Sequence, residues 1–385
     1  MKKTFILLLI FILFLTVISI NSPLISYADS LDETIEKELE GLNLSELEDF
    51  FNSIDSNNER DFYSLINGFI DGTYQVDYNG FLGLIKEVLV GNFTKILKTL
   101  SSIIIIAIIY SLCENLKSRV MSENVKKVIR LTAVLSILLI LSSEIISLFE
   151  NVKIVINNIS KLNEIMSPIM LGLIVASGGK ITASIYSPTV VFISGGFIYI
   201  VNNVLLPLII LTLSFGVFNC FSENAKVKNF SEFFASTFKW VIGISVTVSG
   251  LFITVQGLNS AVIDGVSIKA AKYAISNSVP LIGGFLKDGF DIVTSGTIII
   301  KNVIGVAGVI ALFYLLLSPV LTLISYSMCF KLISSVIEPF SNVNFSSICN
   351  VFSKAVSYLI VCILIVALMF FINILILMIS SSAFL

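Results

Sequence analysis

The sequence predicts an all-α, polytopic helical membrane protein with a small exported helical domain at its N-terminus, and three observations predict it. Of the 385 residues, 56% are apolar and only 13% charged, with a mean hydropathy of +0.98; soluble domains average about 45–50% apolar and about 25% charged. Apolar runs recur at 96–113, 131–149, 165–177, 183–201, 204–221, 240–257, 303–327 and 357–380, and about 20 residues at 1.5 Å rise cross the hydrocarbon. Ahead of them, acidic side chains crowd a stretch whose composition sets it apart from the rest.

Residues 1–28 open with Lys2 and Lys3, continue through an apolar stretch from Phe5 to Ile20 and end in Ser26-Tyr27-Ala28. Positive start, apolar middle and small residues at the end make a signal peptide cleaved after Ala28. An uncleaved anchor is the competing reading, and both export residue 29. From Asp29 to Thr99 there are fifteen acidic and five basic side chains. Leu31, Ile35, Leu39 and Leu42, then Leu47, Phe50, Phe51 and Ile54, are spaced as the apolar stripes of amphipathic helices. Ser45 and Glu48 are placed as a capping box before the second stripe, and Asp71-Gly72 and Asn79-Gly80 punctuate the later part of the stretch. Residues 29–95 therefore read as an acidic extracytoplasmic helical domain, too short for a large core and leaning on the membrane or a partner.

Residues 96–385 read as a transmembrane body of about six to eight spans. The runs at 165–177 and 183–201 are short and joined through Ser177-Gly178-Gly179-Lys180, which leaves a re-entrant hairpin open. Orientation comes from charge. Lys117, Arg119, Lys126, Lys127 and Arg130 lie between the first two runs, and Lys226, Lys228 and Lys239 between the fifth and sixth; such loops stay cytoplasmic. That topology puts the acidic domain, residues 258–302 and the C-terminus outside, and the turn at Lys180 inside.

Residues 257–301 are too polar for one span and too patterned for a linker. Val262, Val266, Ala270 and Tyr273/Ala274 form one helical stripe, with Lys269, Lys272 and Ser276 on another side; Ile282, Phe285, Leu286, Gly289 and Val293 form a second, opposite Lys287, Asp288 and Asp291. Two amphipathic helices thus meet at Pro280, a hairpin at 258–302. It either lies on the outer membrane face with its charges solvated or folds into a bundle that lines a polar passage. The candidate functional residues are Lys269, Lys272, Tyr273, Asn277, Pro280, Gly283, Gly284, Asp288 and Asp291.

Catalytic chemistry is hard to find. There is no histidine, the commonest general base and metal ligand. The five cysteines form no C-x-x-C pair and lie in or beside apolar runs, where Cys acts as a small hydrophobe. No phosphate loop, dinucleotide fingerprint, metal-ligand cluster or nucleophile elbow occurs, so no catalytic, cofactor-binding or metal-ligating residue is assigned. A net charge of -2 gives no reason to expect a nucleic-acid partner. Glu144, inside the second run, is a functional candidate by its cost in lipid, although its place toward the outer end suits the interface. Gly305 and Gly308 open the seventh run and suit close helix packing.

The run K-A-A-K-Y-A-I-S-N-S-V-P-L-I-G-G-F-L-K-D-G-F-D, from Lys269 to Asp291, resembles the stage III sporulation protein AE family of endospore-forming bacteria, as does the order of signal, exported domain and multi-span body. The resemblance implies a multi-pass protein of the mother-cell membrane around the forespore, its exported parts in the intermembrane space. There it would join other stage III sporulation A-series proteins and the forespore's stage II sporulation protein Q in a channel-like, secretion-like complex supporting late forespore gene expression. A homo-oligomer also fits, and membrane lipid would surround the body. Two other classes stay open: a self-contained permease, against which the lack of a convincing internal repeat counts, and a scaffold without a pore.

Overall fold

The computed structural model describes residues 44–54, 68, 78–115, 123–221, 228–257, 260–278, 283–338 and 345–380. The signal peptide expected at 1–28, the first acidic stripe and Pro280 lie outside the described residues. The described chain is almost entirely helical: α1 Ser45–Ile54, α2 Tyr78–Asn115, α3 Glu123–Ala176, α4 Lys180–Val191, α5 Leu206–Phe221, α6 Lys228–Gly257, α7 Ser260–Ser278, α8 Gly283–Ile337 and α9 Phe345–Ile379. Two π-helical segments, Phe192–Phe197 and Val201–Leu205, carry α4 into α5 without a loop. Among the described residues, six stretches are long and apolar enough to cross a membrane.

The core is the antiparallel pair α8–α9. Ser327 Oγ lies 3.3 Å from Ser353 Oγ and 3.2 Å from Ser357 Oγ, and Ser334 Oγ donates to the Ser346 carbonyl at 2.9 Å. Small hydroxyls let the two helices come close and supply bonds across the seam. At the far end of the pair, Lys301 Nζ donates to the carbonyls of Leu377 (3.1 Å) and Met378 (2.7 Å). The last turn of a helix has carbonyls without intrahelical partners and a negative dipole end. A buried ammonium there satisfies both.

The helix α3 runs parallel to α9 and antiparallel to α8, its register set by polar contacts. Glu144 accepts hydrogen bonds from Tyr326 Oη (2.8 Å) and Thr99 Oγ1 (3.0 Å), while Asn163 Oδ1 accepts from Asn373 Nδ2 (2.8 Å) and Ser167 Oγ (3.0 Å). A Cβ added at Gly308 would strike Met166, so this glycine permits the approach of α3 to α8. On the same flank α2 runs parallel to α8, with Asn92 Nδ2 donating to Thr322 Oγ1 at 2.8 Å and the Tyr110 ring edge-on to Phe345 at 5.2 Å. The opposite flank is the α5–α6 hairpin. Phe215 stacks between Phe230 (5.7 Å) and Phe234 (5.3 Å), and Phe238 seats against Tyr358 at 4.8 Å.

These contacts give the bundle two ends. The adjoining ends of α2 and α3, α5 and α6, and α8 and α9 meet at one, beside both basic stretches of the sequence; α7, the start of α8 and the last turn of α9 lie at the other.

Two pairs of apolar runs are each one helix. Residues 150–164, an outer loop by the spacing of the runs, continue α3, because Val152, Val155, Ile156, Ile159 and Leu162 recur at helical spacing and are all buried. Charges on the opposite side lower the average hydropathy without interrupting that stripe. The runs at 183–201 and 204–221 likewise join through the π-helical segments. Among the described residues there are therefore six candidate crossings where the hydropathy pattern has eight runs, and no re-entrant hairpin forms at 165–201.

Of the acidic stretch, α1 is described, starting at Ser45 with Glu46 and Glu48 in its first turn. Leu44 and Leu47 are fully buried, and Phe50 and Phe51 pack on the core, so this helix leans on α3 and α8 of its own chain. Residues 78–95, which by composition group with the acidic stretch, belong to the same helix as the first apolar run.

Candidate functional site

The segment singled out in the sequence forms an antiparallel helical hairpin, α7 and the first part of α8. Lys272 on α7 forms an ion pair with Asp291 on α8, and its ammonium stands 5.7 Å from the centroid of the Phe290 ring. Asp291 is 40% exposed, so the pair contributes less than about 1 kcal/mol and mainly sets register.

The second arm is no separate surface helix. It is continuous with the span after it, and since Lys301 caps the end of α9, residues 283–300 extend beyond the α9 terminus by roughly 27 Å at 1.5 Å per residue. The hairpin stands out from the end of the bundle. Its outer face carries Val266, Lys269, Ala270, Tyr273 and Ala274, all exposed, with Tyr273 at 72%.

At its base the hairpin is fastened to the turn that ends α3. Asp264, 2% exposed, accepts hydrogen bonds from the backbone N–H groups of Ile181 (3.1 Å) and Thr182 (2.6 Å). These belong to the first turn of α4, whose N-cap residue Gly179 makes no side-chain capping bond. A carboxylate from another helix thus does the capping, where unpaired N–H groups and the positive dipole end favour it. Beside it Gly178 has φ +95°, a left-handed conformation, and a Cβ there would come within 2.8 Å of Ile268 Cδ1. Glycine answers both the backbone and the space.

That contact corrects the placement of Lys180. The charge-based topology set the 177–180 turn and residues 258–302 on opposite sides of the membrane, yet Asp264 holds them together. The reason is the unbroken α3: a single helix between residues 123 and 176 brings the turn to the hairpin end, where two crossings would have returned it.

Of the nine candidate residues, the structure joins Lys272 to Asp291 and leaves Lys269 and Tyr273 exposed on one face. Asn277 falls within α7, and Gly283, Gly284 and Asp288 within the first turns of α8. Pro280 lies outside the described residues. Sequence reading missed Asp264 and Lys301 as docking groups. Each was visible as a lone charge bordering an apolar stretch, but its partners are backbone groups 76 to 83 residues away.

The model of the family described as Stage III sporulation protein AE matches residues 60–381. Stage III sporulation protein AE of Bacillus subtilis (strain 168) is 28% identical over 206 residues, 54% of this chain and 52% of that protein. The chain thus spans about half the length of the curated relative it matches. No solved structure matches it. The family model covers most of the chain, and the chain belongs to the stage III sporulation protein AE family.

Proposed function

We propose that this member of the stage III sporulation protein AE family is a non-enzymatic subunit of the channel-like complex that links mother cell and forespore and supports late forespore gene expression. It sits in the mother-cell membrane, with the acidic N-terminal domain and the α7–α8 hairpin in the intermembrane space. Other stage III sporulation A-series proteins and stage II sporulation protein Q are its partners there.

The observation that carries this reading is the hairpin itself. It bears the family-like run and projects from the end of the bundle opposite the basic stretches at 117–130 and 226–239, which the positive-inside rule keeps in the cytoplasm. An exposed Tyr273–Lys269 face, level with Asp291 and so about 10–15 Å beyond the last turn of α9, is in position to meet other exported domains. In a sporulating host, deletion leaves engulfment intact and stalls late forespore transcription. Normal late transcription in that strain overturns the reading.

A self-contained permease is the second reading, favoured by the two π-helical segments at 192–205 within one candidate span, an irregularity frequent at functional sites. Purified chain moving a solute across liposomes without partners would establish it.

A further inference from the structure

Along α3, Glu150, Lys153, Asn157, Lys161 and Glu164 form one exposed stripe at helical spacing, with Ile154 as its one large apolar member. Asn202, in the second π-helical segment, lies with its Nδ2 3.5 Å from Asn157 Oδ1, and Ser160 donates to Glu164 at 2.9 Å. The depth of this stripe is set by its neighbours. Glu144 is level with Tyr326, itself next to Ser327, which meets Ser353, and Asn163 is level with Asn373. The stripe therefore lies alongside residues 355–379 of α9 and 303–330 of α8, neither of which contains a charged residue. Those 25 and 28 residues are the most apolar part of the chain and suit the hydrocarbon. At the same depth the opposite flank exposes Trp240, Ile244 and Leu251. Charged side chains at membrane depth persist only against protein or water.

From this placement we infer that the α3 stripe faces water, lining a hydrophilic passage at hydrocarbon depth that further copies of this chain close. Each copy brings two acidic and two basic side chains, so the stripe has no net charge, and Glu of one copy can face Lys of the next without an added counter-charge. This deepens the proposed channel reading and rests on it: the wall of the passage is the middle of α3, with the hairpin standing at its mouth.

The test uses the full-length chain in membrane vesicles, in a Cys113→Ser background that leaves four buried cysteines as an unreactive baseline. Asn157→Cys is treated with a charged, membrane-impermeant maleimide, beside Lys180→Cys at the hairpin end and Ile244→Cys at matching depth on α6. The expected rate for Asn157→Cys is within about tenfold of Lys180→Cys, and at least about 100-fold above Ile244→Cys. Equal slowness at 157 and 244 overturns the inference, since the stripe is then packed or in lipid. Equal speed at both also overturns it, since the depth is then wrong. A bifunctional maleimide at position 157 should join two copies; labelling without that product overturns closure by copies. If Asn157→Cys does not accumulate, Lys153→Cys and Lys161→Cys carry the same measurement. Failed labelling with stalled late transcription in the deletion strain removes this inference alone. Successful labelling with normal late transcription removes the sporulation reading alone.

Discussion

Beside the middle of α3, the two flanks of the α8–α9 core differ in chemistry: one exposes charged side chains and the other does not. The α5–α6 flank shows Trp240, Ile244 and Leu251 to the outside; the α2–α3 flank shows Lys86, Glu150, Lys153, Lys161 and Glu164, with Leu89, Val90 and Ile154 among them. Nearer the basic end the second flank turns apolar, with Ile105, Ile109, Leu131, Leu135 and Leu139 exposed. The bundle is thus amphipathic from side to side as well as along its length. Mean hydropathy of a run says that it can enter lipid, whereas the side on which its charges fall says whether lipid is what it meets.

The sharpest way to break this comparison is to exchange the flanks' chemistry. A charge placed at mid-membrane in lipid costs about 2.5–3.5 kcal/mol. Ile244→Lys and Leu251→Lys should each lower the yield of inserted, folded protein roughly 100-fold in the underlying equilibrium, read as loss of membrane-resident chain. Lys161→Leu, which removes a charge from the α3 stripe, should leave that yield unchanged. If both flanks tolerate charge equally, the distinction is gone.

The next effects test the register on which the depth comparison rests. Gly178→Ala strains a left-handed turn and meets Ile268, and should lower stability by about 2 kcal/mol, read as an earlier thermal transition of the purified protein in detergent. Asp264→Ala leaves the Ile181 and Thr182 N–H groups buried without their acceptor and should cost about 1–2 kcal/mol in the same measurement. It should also raise proteolytic cleavage within 177–182. A silent Asp264→Ala would mean that the turn and α7 are not fastened together.

Smaller effects sharpen the two halves of the α3 flank. Glu144 marks the boundary between its apolar and charged parts, and Glu144→Gln weakens the bonds from Thr99 and Tyr326; about 0.6–1 kcal/mol is expected, the usual size for polar contacts between membrane helices. Asp291→Asn breaks an ion pair open to solvent and should change stability by less than about 1 kcal/mol, with the loss fading at high salt. A larger loss would show that the hairpin depends on that pair to stand.

Much of the fold was legible. Helical class and membrane character come from the apolar runs, and the helix at Ser45–Ile54 from the spacing of Leu47, Phe50 and Phe51. Of the candidate functional segment, the two helical arms were visible in their stripes. Less visible was that the second arm and the span after it are one helix, because a change in composition at residues 301–303 has no helix end to match it. The charged middle of α3 misled for the same reason: averaging over a window hides a buried stripe that the helix keeps on one side.

By itself the sequence determined what each stretch is able to be: apolar runs long enough to cross, a signal-like start, a basic bias in two stretches, and a family-like run from Lys269 to Asp291. Only the tertiary structure decided how the apolar runs join into helices, which turn lies beside the hairpin and which side of α3 is left uncovered. The physical reason lies in range. Helix formation and hydropathy are local and readable along the chain, whereas the partners of Asp264, Lys301 and Asn163 are 76 to 210 residues away and exist only once the helices have packed.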